Sequence, residues 1–313
     1  MGETMLVVAA SGIWIPPLGA VALGLVAVLG ILALIALVVR AVAPKVSAIA
    51  QTTAKDGLTQ PVFYVLMALG VFALMLFPFV SYHTLGEDLK MLKTEGLTLI
   101  KILGIFLALW TASVSISDEI EGRTALTLLS KPVSRRQLIL GKFLGILAPL
   151  AILFVVLGAL FLCTVSYKVA YDFRENSAPE PTAQDCVREM RQISPGLAVS
   201  FLETMILASI SVAISTRLPM LPNLMICSSI YVLGHLVPLL VNSAAGQVPL
   251  VSFTGRLISA VLPVLDHFNL ESLVATGKEL PPSYLGAALA YSLGYSAVAM
   301  LVALLLFEDR DLA

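Results

Sequence analysis

Charge is scarce in this chain: Asp, Glu, Lys and Arg make up 12% of its 313 residues, against about 25% in an average soluble domain. With 58% hydrophobic residues and a mean hydropathy of +0.96, that scarcity excludes a globular domain carried on one anchor. Aromatic residues are few too, at 7%, and no stretch alternates with a strand period. An outer-membrane barrel needs aromatic girdles and alternating strands, so it is excluded. The three cysteines, Cys163, Cys186 and Cys227, show no CxxC spacing and imply no disulfide framework. A net charge of -1 gives no electrostatic case for nucleic acid. Only His83, His235 and His267 are present, and none forms an HExxH zinc-protease motif. GxSxG is absent. So is a GxxxxGK[ST] phosphate loop, since Gly141-Lys142 is followed by Phe143. The chain is therefore not expected to be an enzyme or to hydrolyse ATP.

What is present is a series of long apolar runs. Crossing the hydrocarbon core takes about 20 apolar residues in a helix. Runs near 17–39, 61–81, 97–117, 143–166, 197–216, 220–241 and 285–307 meet that length. Helices alone satisfy every backbone group locally in lipid, so the fold expected is an all-α polytopic bundle. Met1 to Pro16 contains no Lys or Arg, and the first run outlasts a signal-peptide core; it is expected to be a retained anchor over 1–44. Arg40, Lys45 and Lys55 follow that span, which places the amino terminus outside and 40–60 inside. Tyr82, Tyr167, Tyr171 and Tyr284 then fall at the outer interface.

Between the third and fourth runs lies a charged island, with Asp118, Glu119, Glu121, Arg123, Lys131, Arg135, Arg136 and Lys142. Burying these at mid-bilayer would cost on the order of 20 kcal/mol, at about 3 kcal/mol each. The island therefore lies outside the bilayer, on the inner side by the same orientation rule. It divides at Pro132. Before Pro132 the residues suit a short helix. After it, Ser134 and Gln137 make a capping-box pattern that starts a helix running into the fourth span. Gly141 and Gly145 form a GxxxG pair suited to close helix packing.

These residues carry a resemblance. Glu119-x-Glu121-Gly122-Arg123-Thr124, Leu128-Leu129-Ser130-x-Pro132-Val133-Ser134-Arg135 and Leu140-Gly141-Lys142 resemble the cytoplasmic signature of type-2 ATP-binding-cassette (ABC) exporter permeases. The similarity is strongest over 115–145 and extends over 46–313. It implies a six-span permease core over 45–313, to which the first span is an additional helix. It also implies a coupling segment at 118–142 that meets a separate ABC ATPase. The residues carried over to that role are Glu119, Glu121, Gly122, Arg123, Thr124, Pro132, Arg135, Arg136 and Lys142. The resemblance further implies a second permease subunit, identical or different, in the plasma (inner) membrane. ATP and Mg would reside on the partner ATPase, and no cofactor or metal on this chain. A membrane scaffold or assembly protein, and an intramembrane hydrolase built on span serines such as Ser209, Ser211 and Ser215, are the competing readings.

Other segments leave alternatives open. Val46, Ile49, Ala50 and Thr53 recur at helical spacing within 45–60, as an interfacial helix or a solvated linker. Phe253, Leu257, Ile258, Val261, Leu262 and Leu265 share a face over 249–266, as a re-entrant element or a surface helix. The polar stretch 167–196 is expected to be a poorly ordered outer loop. Glu203 and His235 lie within spans, where such residues line a pathway or bond neighbouring helices. Lys101 and Lys168 are placed near span ends, where snorkelling is expected. Pro78 and Pro149 are expected to kink their helices. Gly286, Ala290 and Gly294 form a small-residue ridge, for packing within the bundle or against a second copy.

Overall fold

The computed structural model describes residues 2–80, 88–121, 134–175, 182–243, 248–277 and 280–308. These residues contain helices and no strand. The long helices are α1 (Gly2–Val42), α2 (Pro44–Thr59), α3 (Pro61–Leu76), α4 (Asp88–Glu121), α5 (Arg135–Glu175), α6 (Ala183–Ser215) and α7 (Met220–Asn242). A shorter α8 (Pro249–Val261), a 3-10 turn at Leu265–Phe268 and α9 (Glu271–Ala275) lead to α10 (Pro282–Glu308). Seven helical stretches among the described residues are long and apolar enough to span a membrane. They fall on the seven runs read from the sequence, so the all-α polytopic bundle is as expected.

α6 is the hub, packed against α4, α5 and α10. Its middle turns are almost wholly buried, from Leu202 through Ala213. α1 is peripheral. Its apolar side chains, including Leu23, Val26 and Leu34, remain exposed, as suits a helix surrounded by lipid.

α2 buries Val46, Ser47, Thr53 and Gly57, close to the stripe its sequence period indicates. The covering surface is α5. A Cβ on Gly141 would lie 2.7 Å from Ile49, and one on Gly145 would lie 2.5 Å from Thr53 and 2.8 Å from the Ala50 carbonyl. Farther along, the Cβ position of Gly57 is 3.1 Å from Pro149. The GxxxG pair thus receives the helix just before the second span, and α2 runs parallel to the first turns of α5. α3 continues the same course after the Gln60-Pro61 break, with Gly70 against Leu157 and Leu103.

The polar stretch 167–196 is helical over much of its length, which corrects the expectation of a loop. α5 extends to Glu175 and α6 begins at Ala183. α5 has 41 residues, about 60 Å at 1.5 Å per residue, so it projects well beyond an apolar core about 30 Å thick. The polar residues of these extensions face one another. Lys93 of α4 pairs with Glu189 of α6, and Lys168 of α5 lies 3.8 Å from Asp88 of α4. Lys168 is buried and ion-paired instead of snorkelling. Thr182 caps α6 in a reciprocal capping box with Asp185.

Segment 249–266, the candidate re-entrant segment, folds back along α7 and meets α10. Gly255 packs on Val237 and Val241 of α7, and Gly234, farther back along α7, meets Leu265 and the Pro263 carbonyl. Val261 lies beside Tyr295, close to the midpoint of the 26-residue span of α10. Irregular backbone at that depth needs protein partners. α10 supplies them from one helical face: Tyr295 donates to the Val261 carbonyl at 3.1 Å, Tyr291 accepts from the Val264 N–H at 3.0 Å, and Tyr284 donates to the His267 carbonyl. We expect Tyr295→Phe to lower stability by about 1–2 kcal/mol, through one unpaired carbonyl. Thermal unfolding in detergent checks this, with faster hydrogen exchange confined to 258–268.

The ridge of Gly286, Ala290 and Gly294 is exposed, and a Cβ on either glycine would meet nothing within 4 Å. Among the described residues nothing packs against either glycine.

Candidate functional site

Two constellations stand out, one at the charged island and one inside the bundle. At the island, Ser134 and Gln137 form the expected reciprocal cap: Gln137 N donates to Ser134 Oγ at 3.3 Å and Ser134 N to Gln137 Oε1 at 3.2 Å. α5 starts there, and α4 ends at Glu121. Gly122, Arg123, Thr124 and Pro132 lie outside the described residues, as do the side chains of Glu119 and Glu121.

The three described basic residues take different positions. Arg135 turns inward, with its Nη1 donating to the Phe307 carbonyl at 3.3 Å and its guanidinium 5.8 Å above the Phe307 ring. A cation there complements the carboxyl end of the α10 dipole. Lys142 is buried, and its Nζ donates to the Ser115 carbonyl and to Ser115 Oγ, each at 3.1 Å. It ties the last turns of α4 to the first turns of α5. Arg136 is exposed. Beside Lys142 a cleft of about 210 Å³ opens between α2, α4 and α5, with Asp56, Gln60 and Ser115 in its wall.

The second constellation brings Glu203 and His235 together, along with two residues that sequence reasoning did not assign to a site. Glu203 of α6 is 0% exposed. Its Oε1 lies 3.3 Å from His235 Nε2 of α7, and its Oε2 lies 3.8 Å from Lys101 Nζ of α4. Lys101 Nζ is also 2.6 Å from Glu271 Oε1, on α9 of the re-entrant segment. The expected snorkelling of Lys101 is thus corrected: it is 3% exposed and ion-paired. It lies four residues inside the apolar run that begins near 97, and its ammonium reaches Glu203 and Glu271 instead of the end of the span. Several oxygens and nitrogens of this cluster, Glu203 Oε1 and Oε2, His235 Nε2 and Glu271 Oε1, lack well-aligned hydrogen-bond partners despite these short approaches. The signal available in the sequence was four ionisable residues in apolar surroundings. Their mutual contact was not readable.

A neutral node lies elsewhere on α6. Asn223 Nδ2 is 2.6 Å from Ser113 Oγ and 2.8 Å from the hydroxyls of Ser211 and Ser215, which joins α4, α6 and α7. Ser209 donates to the Ile206 carbonyl. These serines are occupied in helix bonding, and among the described residues none is hydrogen-bonded to His235, whose contacts are the Tyr231 carbonyl and Glu203. No group of acidic, cysteine or histidine side chains among the described residues could hold a metal ion.

The described residues thus form a bundle of span-length helices in which α5 opens on a reciprocal cap within the charged island. The chain belongs to the ABC-2 transporter family: the model of the ABC-2 family transporter protein matches residues 73–312. It is a multi-pass membrane permease of the ABC class. α1, α2 and most of α3 precede the matched stretch. No curated protein matches the chain at significant similarity.

Proposed function

We propose that this chain is the permease subunit of an ABC exporter in the plasma membrane, driven by a separate ATPase chain that binds ATP and Mg. Domain organisation follows that reading: an accessory anchor over 1–44 and the permease proper over 45–313. The carrying observation is the bracing where α4 ends and α5 begins, by the Lys142–Ser115 tie and by α2 in the Gly141/Gly145 groove. Closure of the ATPase pushes segment 118–137 on the inner face. Because the neighbouring turns are braced, the push tilts α4 and α5 as rods instead of being absorbed locally. The tilt changes which face the pathway opens to, provided the ATPase contacts differ between the two states. The exposed ridge Gly286, Ala290 and Gly294 suits close approach of a second permease subunit.

The inner-face residues divide between two tasks in this reading. Arg136, exposed, and Glu121, at the end of α4, meet the ATPase; Arg135 and Lys142 brace the hinge from within. Glu121→Ala with Arg136→Ala is expected to leave membrane insertion and thermal stability unchanged, and to abolish stimulation of the co-expressed ATPase. Arg135→Ala is expected to lower stability as well, by about 1 kcal/mol, through loss of the α10 cap. Retained ATPase stimulation in the Glu121/Arg136 double variant would sink the mechanism.

A further inference from the structure

The geometry of the Glu203–His235 contact is incomplete as it stands. His235 Nδ1 is 3.1 Å from the Tyr231 carbonyl. A carbonyl only accepts, so Nδ1 carries a hydrogen. In the neutral ring Nε2 then presents a lone pair, aimed at Glu203 Oε1 only 3.3 Å away. Two acceptors facing each other at that distance repel. A proton between them turns the contact into a hydrogen bond, whichever atom holds it formally.

The charges lead to the same place. Lys101 and Glu271 cancel at 2.6 Å. Glu203 remains, fully buried and uncancelled. The titratable and charged groups facing the pair are Lys101 from α4, Tyr231 from α7, and Asp266 and Glu271 from the re-entrant segment. The other long helices packed on α6 bring no countercharge at this depth: α5 has no charged residue between Lys142 and Lys168, α10 has none between Pro282 and Phe307, and α1 has none between Pro16 and Val39. A buried charge without compensation is strongly unfavourable.

We propose that Glu203 and His235 form an intramembrane proton-binding site, and that one shared proton there keeps the re-entrant segment seated by leaving Lys101 free to hold Glu271. When the proton leaves, Glu203 and Glu271 compete for the same ammonium, which already lies 3.8 Å from one and 2.6 Å from the other. Lys101 moves toward Glu203, and α9 loses its tie to α4. The ligand is a proton, and the bistable element is the Lys101 ammonium between two carboxylates.

The test uses the full chain in lipid nanodiscs, with Cys163, Cys186 and Cys227 replaced by alanine. Val274→Cys, at a buried position of α9, reports release of the segment; Thr276→Cys, at an exposed position beside it, corrects for thiol reactivity. Maleimide labelling at 274 relative to 276 is expected to rise about tenfold between about pH 6 and about pH 9, as opening of the segment becomes more populated. Glu203→Gln removes the surplus charge, so its labelling stays low and flat with pH. Glu271→Gln removes the tie, so its labelling is high and flat. His235→Gln, a second route should Glu203→Gln fail to fold, moves the midpoint by at least about one pH unit. Flat labelling without these substitutions, or an unshifted profile in Glu203→Gln or His235→Gln, would overturn the proposal.

Discussion

Lys101→Met is expected to cost about 3–5 kcal/mol of stability, the largest effect of any single substitution considered for this protein. Among the described residues, Lys101 is the only Lys or Arg ion-paired with Glu203 and Glu271, one fully buried and the other half-buried, and the variant removes it. Breaking a buried pair leaves an uncompensated charge, which costs far more than the intact pair contributes. The same physics supplies the control. Neutralising all three together, as Lys101→Met with Glu203→Gln and Glu271→Gln, is expected to recover most of the loss, because no charge is then left alone. Unfolding of the chain reconstituted in nanodiscs measures both. A single variant within about 1 kcal/mol of the parent would mean that water reaches Glu203 and that the cluster is not closed.

Gly145→Leu is the second. Its Cβ alone would sit 2.5 Å from Thr53 Cβ and 2.8 Å from the Ala50 carbonyl oxygen. The second contact is with backbone, so no rotamer change relieves it and α2 must move away from α5. Overpacking of this kind costs about 1–3 kcal/mol, and here it also removes the brace beside the α4–α5 hinge. Trypsin cleavage after Lys45 or Lys55, the basic residues exposed on α2, is expected to accelerate in the variant. Gly24→Leu is the matched control, since nothing lies within 4 Å of a Cβ at Gly24 on α1. Equal cleavage rates in the two variants would show that α2 does not depend on the groove.

Much of the fold was legible in the sequence. The seven apolar runs became seven span-length helices, because membrane crossing is a local demand that each segment satisfies alone. The Ser134/Gln137 cap was legible for the same reason, as both partners lie within one turn. The stretch 167–196 misled because its polarity resembles that of a solvated loop. Its helices continue past the apolar limit, and their charges are satisfied by other helices, as Lys93 is by Glu189 and Lys168 by Asp88. Tyr284, Tyr291 and Tyr295 are spaced by seven and four residues, on one face of an apolar span. Only their partners, Val261, Val264 and His267, reveal that these tyrosines anchor the candidate re-entrant segment.

Composition and periodicity alone determined that this chain carries seven helical runs long and apolar enough to cross a membrane, that the charged stretch 118–142 is too polar for an apolar layer, and that a cap at Ser134 and Gln137 starts the helix after it. They could do so because transfer into lipid and helix capping act on neighbouring residues. Tertiary structure alone decided that α2 docks in the Gly141/Gly145 groove, that Lys101 is clamped between two carboxylates, and that Glu203 faces His235. Those facts join residues about 30 to 170 positions apart, and the free energy of a buried charge depends on what surrounds it in space.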